Sequence, residues 1–206
     1  MAPRNKFTKE EMVDAALQVV RKKGINALTA KALAEELCTS TQPVFTCFNT
    51  MDAVKSEVRA AAERIYDGYA AEGLRQDIPF RGFGAQYIRF AKEEPELYRL
   101  LFLTKTDGTF DALAAMKHSQ AKVRPFLEQT YRISSGDADR YFRDLWLVAH
   151  SIATLIVTGG CPYSDEEIGQ ILSGFSLSIC KAIKEIPGFT GGSFDREAMF
   201  HTLTEK

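Results

Sequence analysis

Thr29-Ala-Lys-Ala-Leu-Ala-Glu-Glu-Leu-Cys-Thr-Ser-Thr-Gln-Pro-Val-Phe-Thr-Cys-Phe48 decides the fold. Ala30, Leu33, Ala34 and Leu37 recur three and four apart, so a short helix here has one apolar face. Thr29 stands where an N-cap hydroxyl belongs, and Leu28 and Leu33 are placed to staple the helix start. Cys38-Thr39 makes a turn. Ser40 is placed to cap a second short helix over residues 41–48, and Pro43 falls in its first turn, where a missing N–H costs little. Two short helices joined by a tight turn make a helix-turn-helix unit.

Working outward, Thr8 and Glu11 form a capping box, Phe7 can staple onto Met12, and Met12, Ala15, Ala16, Val19 and Val20 give a preceding helix its buried stripe. Arg21, Lys22 and Lys23 suit its negative end, and Gly24 stops it. Asn49-Thr50 breaks the helix of 41–48 and caps a fourth over 51–72. A linker is expected at 73–79, then helices at 80–93, 95–104 and 110–132, punctuated by Gly108 and Gly136, with a kink at Pro125 in the third of them. Two long helices, 137–158 and 164–186, flank Gly159-Gly160-Cys161-Pro162. After Pro187-Gly188, the tail with Gly191-Gly192 reads as a loop and a short last helix. Periods of three and four dominate, so the fold is all-α. It divides into a three-helix helix-turn-helix domain (1–50), a connecting helix (51–72) and a larger helical domain (73–206).

Composition narrows the function. Of 206 residues 45% are apolar and 26% charged, ordinary globular chemistry. No apolar run approaches the roughly 20 residues that span a bilayer, and the basic start lacks the apolar core of a signal peptide, so no membrane association and a cytoplasmic location are expected. Cys38, Cys47, Cys161 and Cys180 show no ligand or redox spacing and read as small hydrophobes. His118, His150 and His201 have no metal spacing, and no nucleophile elbow or phosphate-cradling loop occurs, so neither catalysis nor a metal or cofactor is expected. The net charge of −1 is uneven. Residues 1–31 carry seven Lys/Arg against three Asp/Glu, or +4, and the remainder −5. A basic start on an acidic body fits a polyanion partner at that end, or a solvated helix face.

In a helix-turn-helix the second helix enters the major groove and its first residues meet base edges. Thr41, Gln42, Phe45 and Thr46 are the candidates. Gln pairs bidentately with adenine, and Thr can touch a thymine methyl. Val44 and Phe48 read as core. Thr29, Lys31, Thr39, Ser40, Asn49 and Lys55, with an arm at Arg4, Lys6 and Lys9, are candidates for the phosphates of double-stranded operator DNA. No Lys or Arg lies between Lys31 and Lys55.

Thr8-Lys-Glu-Glu-Met-Val-Asp-Ala-Ala-Leu17, Gly24-Ile-Asn-Ala-Leu-Thr29, Ala32-Leu-Ala-Glu-Glu-Leu37, Ser40-Thr-Gln-Pro-Val-Phe45 and Phe48-Asn-Thr-Met-Asp52 together resemble the DNA-binding domain of the TetR family, without a gap over residues 8–58. The resemblance implies a homodimeric, all-helical regulator, most often a repressor, whose carboxy-terminal domain binds a ligand that releases DNA. This chain departs from the pattern at three places. Cys38 replaces a turn Gly, which suggests either a turn without a strongly left-handed residue or a slightly strained one. Phe45 stands where Tyr is common and Met51 where Lys is common. Glu94-Pro-Glu-Leu-Tyr-Arg-Leu-Leu-Phe102 and Trp146-Leu-Val-Ala-His150-Ser151 resemble, more loosely, a carboxy-terminal subgroup with a Trp…His-Gly signature, Ser replacing its Gly.

The last two long helices carry heptad-like seams: Phe142, Leu145, Ala149, Ile152 and Ile156, then Ile168, Leu172, Phe175, Ile179, Ala182 and Ile186. Leu147, Val148, Leu155, Leu177 and Ile183 lie off them. Two-sided apolarity suggests a homodimer through Ile152, Ile156, Ile168, Leu172, Phe175 and Ile179, the alternative being a monomer with both helices central. Phe83, Tyr87, Phe102, Phe126 and Trp146 could wall an apolar pocket, with His150 and Thr154 as polar tips, for an unidentified, largely apolar effector. The rival function is a helical protein-interaction module that has lost sequence-specific DNA binding.

Overall fold

The computed structural model describes residues 7–106, 109–110, 112–189 and 194–205. The expectations for Arg4, Lys6, Gly108, Gly191 and Gly192 fall outside these residues. The fold is all-α. Helix α1 (Lys9–Lys23) starts at the expected capping box: the Glu11 amide donates to Thr8 Oγ1 at 3.1 Å, and the Thr8 amide to Glu11 Oε2 at 2.8 Å. Gly24 ends it at φ +79°, and a Cβ there would lie 2.9 Å from Glu96 Oε2. Glycine is therefore favoured by the turn itself, since the flexible Glu96 side chain could move aside.

A 3-10 turn (Ile25–Ala27) leads to α2 (Ala30–Glu36), whose Ala32 amide is capped by Thr29 Oγ1 at 3.1 Å. Cys38 takes φ +50°, so the turn is left-handed without a glycine, the strained alternative. Helix α3 spans Gln42–Cys47. Ser40 does not cap it: Thr41 is the N-cap, in a helical conformation and with no side-chain bond. The cause is local. A capping hydroxyl needs the N–H of the second or third helical residue. The second is Pro43, and the Val44 amide already donates to Thr41 O at 3.2 Å.

Thr50 caps α4 (Met51–Leu74), which continues two residues into the expected linker. Helix α5 (Pro79–Glu93) crosses α4 closely at Gly73 and Gly82. Helix α6 (Pro95–Tyr98) runs into a π-helical turn (Arg99–Leu103), and a two-residue antiparallel pairing, Lys105–Thr106 with Thr109–Phe110, stands where the next helix was expected to begin. Helix α7 (Ala112–Tyr131) is unbroken at Pro125. Ser134 caps α8 (Ser135–Val157), Ser164 and Glu167 form a capping box on α9 (Asp165–Glu185), and α10 (Arg196–Thr204) follows. Among the described residues no helix is long and apolar enough to cross a membrane.

One contiguous core runs from Met12, Leu33 and Val44 through Val58 and Tyr66 to Phe90, Tyr98, Phe142 and Trp146. Helix α4 is the shared wall, packing on α1 toward one end and on α5 along its length.

Candidate functional site

The helix-turn-helix presents one free edge. Val44 and Phe48 are buried and hold α3 to the core. Thr41, Gln42, Phe45 and Thr46 are exposed, Phe45 by 51%. The Thr46 hydroxyl donates back to the Gln42 carbonyl at 3.0 Å, which leaves its methyl group the free feature of that side chain. Ser40 and Asn49 are exposed beside this edge, Thr39 is half-buried, and Thr29 is occupied as a cap. Among the described residues Lys31 and Lys55 have only loose partners, Glu35 and Asp52, each at 3.9 Å. Lys9 and Lys22 are paired within the protein, to Glu57 and, at 2.6 Å, to Glu36. Part of the positive charge counted at the amino end is thus neutralised internally.

This unit is tied to the larger domain by charged contacts. Arg21 at the end of α1 donates to both carboxylate oxygens of Glu94, from Nε at 2.8 Å and from Nη2 at 2.5 Å, and this raises its pKa. Arg59 on α4 donates to the carbonyls of Leu100, at 2.9 Å, and Leu101, at 3.4 Å, in the π turn. Arg99 in that turn donates to the Val157 carbonyl at the end of α8.

A cavity of about 1070 Å³ lies between α5, α8 and α9. Phe83, Tyr87 and Ile88 wall it from α5, Phe142, Leu145 and Trp146 from α8, and Ile168, Leu172 and Ser176 from α9. Of the residues expected there, Phe83, Tyr87 and Trp146 line it. The other four do not. Phe126 is 36% exposed on α7 and is not part of this wall; aromatic content alone cannot tell which arc of α7 meets the core. Phe102 is buried by the π turn and touches a smaller cavity of about 290 Å³ with Arg59, Tyr66 and His118. His150 and Thr154 lie behind the wall.

That second layer is an aromatic and polar cluster. The His150 ring stacks on Trp146 at 4.6 Å and 9°. His150 Nδ1 is 3.0 Å from the Tyr87 hydroxyl and 2.9 Å from that of Tyr98, which also lies 3.3 Å from Thr154 Oγ1. Burial holds the imidazole below its usual pKa, which favours the neutral ring. Burial likewise pushes the Tyr87 hydroxyl well up. The Trp146 Nε1 and Gln86 Oε1 are buried without a hydrogen-bond partner among the described residues. No group of three metal-binding side chains occurs among the described residues.

The residues expected to dimerise divide in two. Ile152 and Ile168 are buried within the protomer, and Ile156, Leu172 and Ile179 pack partly against its core. Leu172 and Ile168 belong to the cavity wall. Phe175 is half exposed, together with Leu147 and Leu155 on α8 and Leu177 on α9. The free apolar residues of α8 and α9 are therefore Phe175 from the seam and Leu147, Leu155 and Leu177 off it, while Val148 and Ile183 pack against the core. The sequence reading missed Ile88, Phe142, Leu145, Ser176 and the mouth residues Arg81, Arg89 and Lys92. They become a site only when α5 and α9 flank α8, and periodicity along one helix carries no sign of that.

Residues 80–172 match the family model described as Tetracyclin repressor-like, C-terminal domain. No curated protein matches the chain. Among solved structures, a TetR family member from Streptomyces coelicolor A3 shares the fold at a TM-score of 0.57 and 21% identity, over 84% of this chain and 98% of that one. The TetR family repressor AlkX from Dietzia sp. strain DQ12-45-1b, implicated in biodegradation of n-alkanes, gives a TM-score of 0.48 and 18% identity over 85% of this chain and 97% of that one. The carboxy-terminal region thus matches a tetracyclin repressor-like domain, and the chain has the helix-turn-helix plus helical-domain fold of a TetR-family regulator.

Proposed function

We propose that this chain is a cytoplasmic, ligand-responsive transcriptional regulator, most simply a homodimeric repressor, that leaves its operator when a largely apolar effector occupies the cavity between α5, α8 and α9. The observation that carries the reading is the division of labour on α3, where Val44 and Phe48 anchor the helix and Thr41, Gln42, Phe45 and Thr46 face outward. An edge of that kind has no packing duty in the protomer and matches the needs of major-groove readout. The Trp146–His150 stack supports placing the carboxy-terminal domain in the Trp-His-Gly-type subgroup. The effector acts by binding the DNA-free arrangement more tightly, because a ligand of equal affinity for both states shifts nothing. The contacts of Arg21 with Glu94 and of Arg59 with the π turn provide a mechanical link between the two parts.

The test separates reading from positioning. Gln42→Ala should cost about 1–3 kcal/mol on the selected operator and relax preference at one base position. Lys31→Ala should weaken every sequence alike and lower the salt slope by about one unit. Binding isotherms at several salt concentrations, on DNA fragments selected by the purified protein, measure both. If no sequence is enriched, the cation-free α3 and its exposed Phe45 favour the second reading, a protein-interaction module.

A further inference from the structure

The cavity is a trough with two unlike ends. Helices α5 and α9 run antiparallel along it. Lys92, near the end of α5, is bonded to Asp165 at the start of α9. At the other end Phe80 packs on Tyr141 at 5.1 Å, and the Tyr141 hydroxyl lies 2.5 Å from Ser176 Oγ. The Lys92 end is closed by that ion pair and is crowded with acidic groups: Glu93, Asp165 and Glu166 stand there against Arg89 and Lys92. Both cations are engaged, Arg89 with Glu93 at 2.8 Å and Glu72 at 3.3 Å, and Lys92 with Asp165. Arg81 lies on the wall toward the opposite end, exposed and with no ion-pair partner among the described residues. Arg81 and Lys92 are eleven positions apart on one helix, roughly 16 Å along its axis.

We infer that the trough takes a monoanionic amphiphile, its carboxylate on Arg81 and its apolar tail lying along α5 toward Trp146. This rests on the reading of the cavity as the effector site and adds the ligand's class and direction. The charges fix the direction. An anion at the Lys92 end would meet three carboxylates and two cations already paired, whereas Arg81 offers a planar, unclaimed donor fork that matches a carboxylate. The apolar walls from Phe83 to Ile168 then desolvate the tail, and the roughly 16 Å from Arg81 to Lys92 along α5 leaves length for a chain.

The chain has one tryptophan, Trp146, and it stands in the trough wall, so its fluorescence reports the tail directly. The full chain is titrated with octanoate, decanoate and dodecanoate below their micellar concentrations, and with 1-decanol as the uncharged match for decanoate. Affinity should rise roughly fourfold per methylene while the trough fills. Decanoate should bind roughly three- to tenfold tighter than 1-decanol. Arg81→Ala should abolish that preference and leave the chain-length dependence intact, since the apolar walls from Phe83 to Ile168 stay in place. Arg89→Ala should leave the preference in place. Equal binding of decanoate and 1-decanol to the unaltered chain overturns the proposal, as does a preference that survives Arg81→Ala or disappears in Arg89→Ala. If no amphiphile perturbs Trp146 or raises Tm, the effector cavity itself falls, and with it both readings.

Discussion

His150 shows how one side chain is set by its neighbours. A histidine one turn from Thr154 reads, from sequence, as the polar tip of a pocket. The fold instead gives its Nδ1 to the hydroxyls of Tyr87 and Tyr98 and its ring face to Trp146, behind the cavity wall. Desolvation depresses its pKa below the ordinary 6.5. As pH falls below that value the unfolded chain takes up a proton that the native ring refuses. Stability from this group is therefore complete above about pH 6.5 and is lost as pH falls toward the lower native pKa. Thermal unfolding followed between pH 7.5 and 5.5 should show a decline in Tm that His150→Asn makes shallower. The same substitution should cost about 0.5–3 kcal/mol at pH 7.5, because the ring that stacks on Trp146 is lost, although the amide oxygen can still accept from the hydroxyls. Parallel pH profiles for the two proteins would show that this ring is not the group that titrates.

At the scale of elements, the crossing of α4 and α5 is fixed by two missing side chains. A Cβ on Gly82 would lie 2.2 Å from the Gly73 carbonyl oxygen, and one on Gly73 would lie 2.5 Å from that of Gly82. Backbone cannot yield as a flexible side chain does, so Gly82→Ala must push the helices apart. Overpacking of this kind costs about 1–3 kcal/mol, or roughly 2–12 °C in Tm for a chain of this length. Gly68, on the same α4, has nothing within 4 Å of its Cβ position. Gly68→Ala should therefore stabilise by about 0.5–1 kcal/mol through helix propensity alone. Calorimetry on the pair tests the opposite signs, and a Gly82→Ala protein as stable as the parent would refute the close crossing. The same contrast marks what the sequence discloses. Local signals placed the starts of α1, α2 and α4, because a capping box or a cap hydroxyl and its target amide lie within three residues. The start of α3 slipped by one residue because Pro43 removes the amide that Ser40 was expected to cap. Gly73 was read as the beginning of a linker, since a glycine demanded by another helix looks the same as one that ends its own. The exposed edge of α3 was legible for a local reason: Val44 and Phe48 are four apart and leave Gln42 and Thr46 on the opposite face, while Thr41 stands at the helix end. Only three of the seven expected cavity residues line the wall, because that site is made by three helices at once.

At the scale of the whole molecule, α8, α9 and α10 leave apolar side chains uncovered. Leu147 and Leu155 on α8, Phe175 and Leu177 on α9, and Phe200 and Leu203 on α10 are exposed, Leu177 by 70%. Uncovered apolar side chains in such number fit an association surface, and a two-fold dimer buries the same patch on both copies. Ile152 lies on the opposite, inner side of α8 and is buried in the protomer. Two substitutions of the same chemistry should therefore fail differently. Ile152→Asp places an unpaired charge in the core and should unfold the chain, at a cost of several kcal/mol. Phe175→Asp places its charge where water already reaches the free protomer, so it should leave a folded, helical monomer. Such a monomer has one α3 instead of two. On a pseudo-palindromic operator it loses the second half-site contact, which is otherwise made at high effective concentration, and its affinity should fall by about a hundredfold or more. It should still bind the trough ligand, because only Leu177 of these outer residues touches that wall. Sedimentation, circular dichroism and binding to whole and half operators check the three outcomes. A Phe175→Asp protein that remains a tight dimer would move the interface off this face, and a folded Ile152→Asp monomer would return it to the seam.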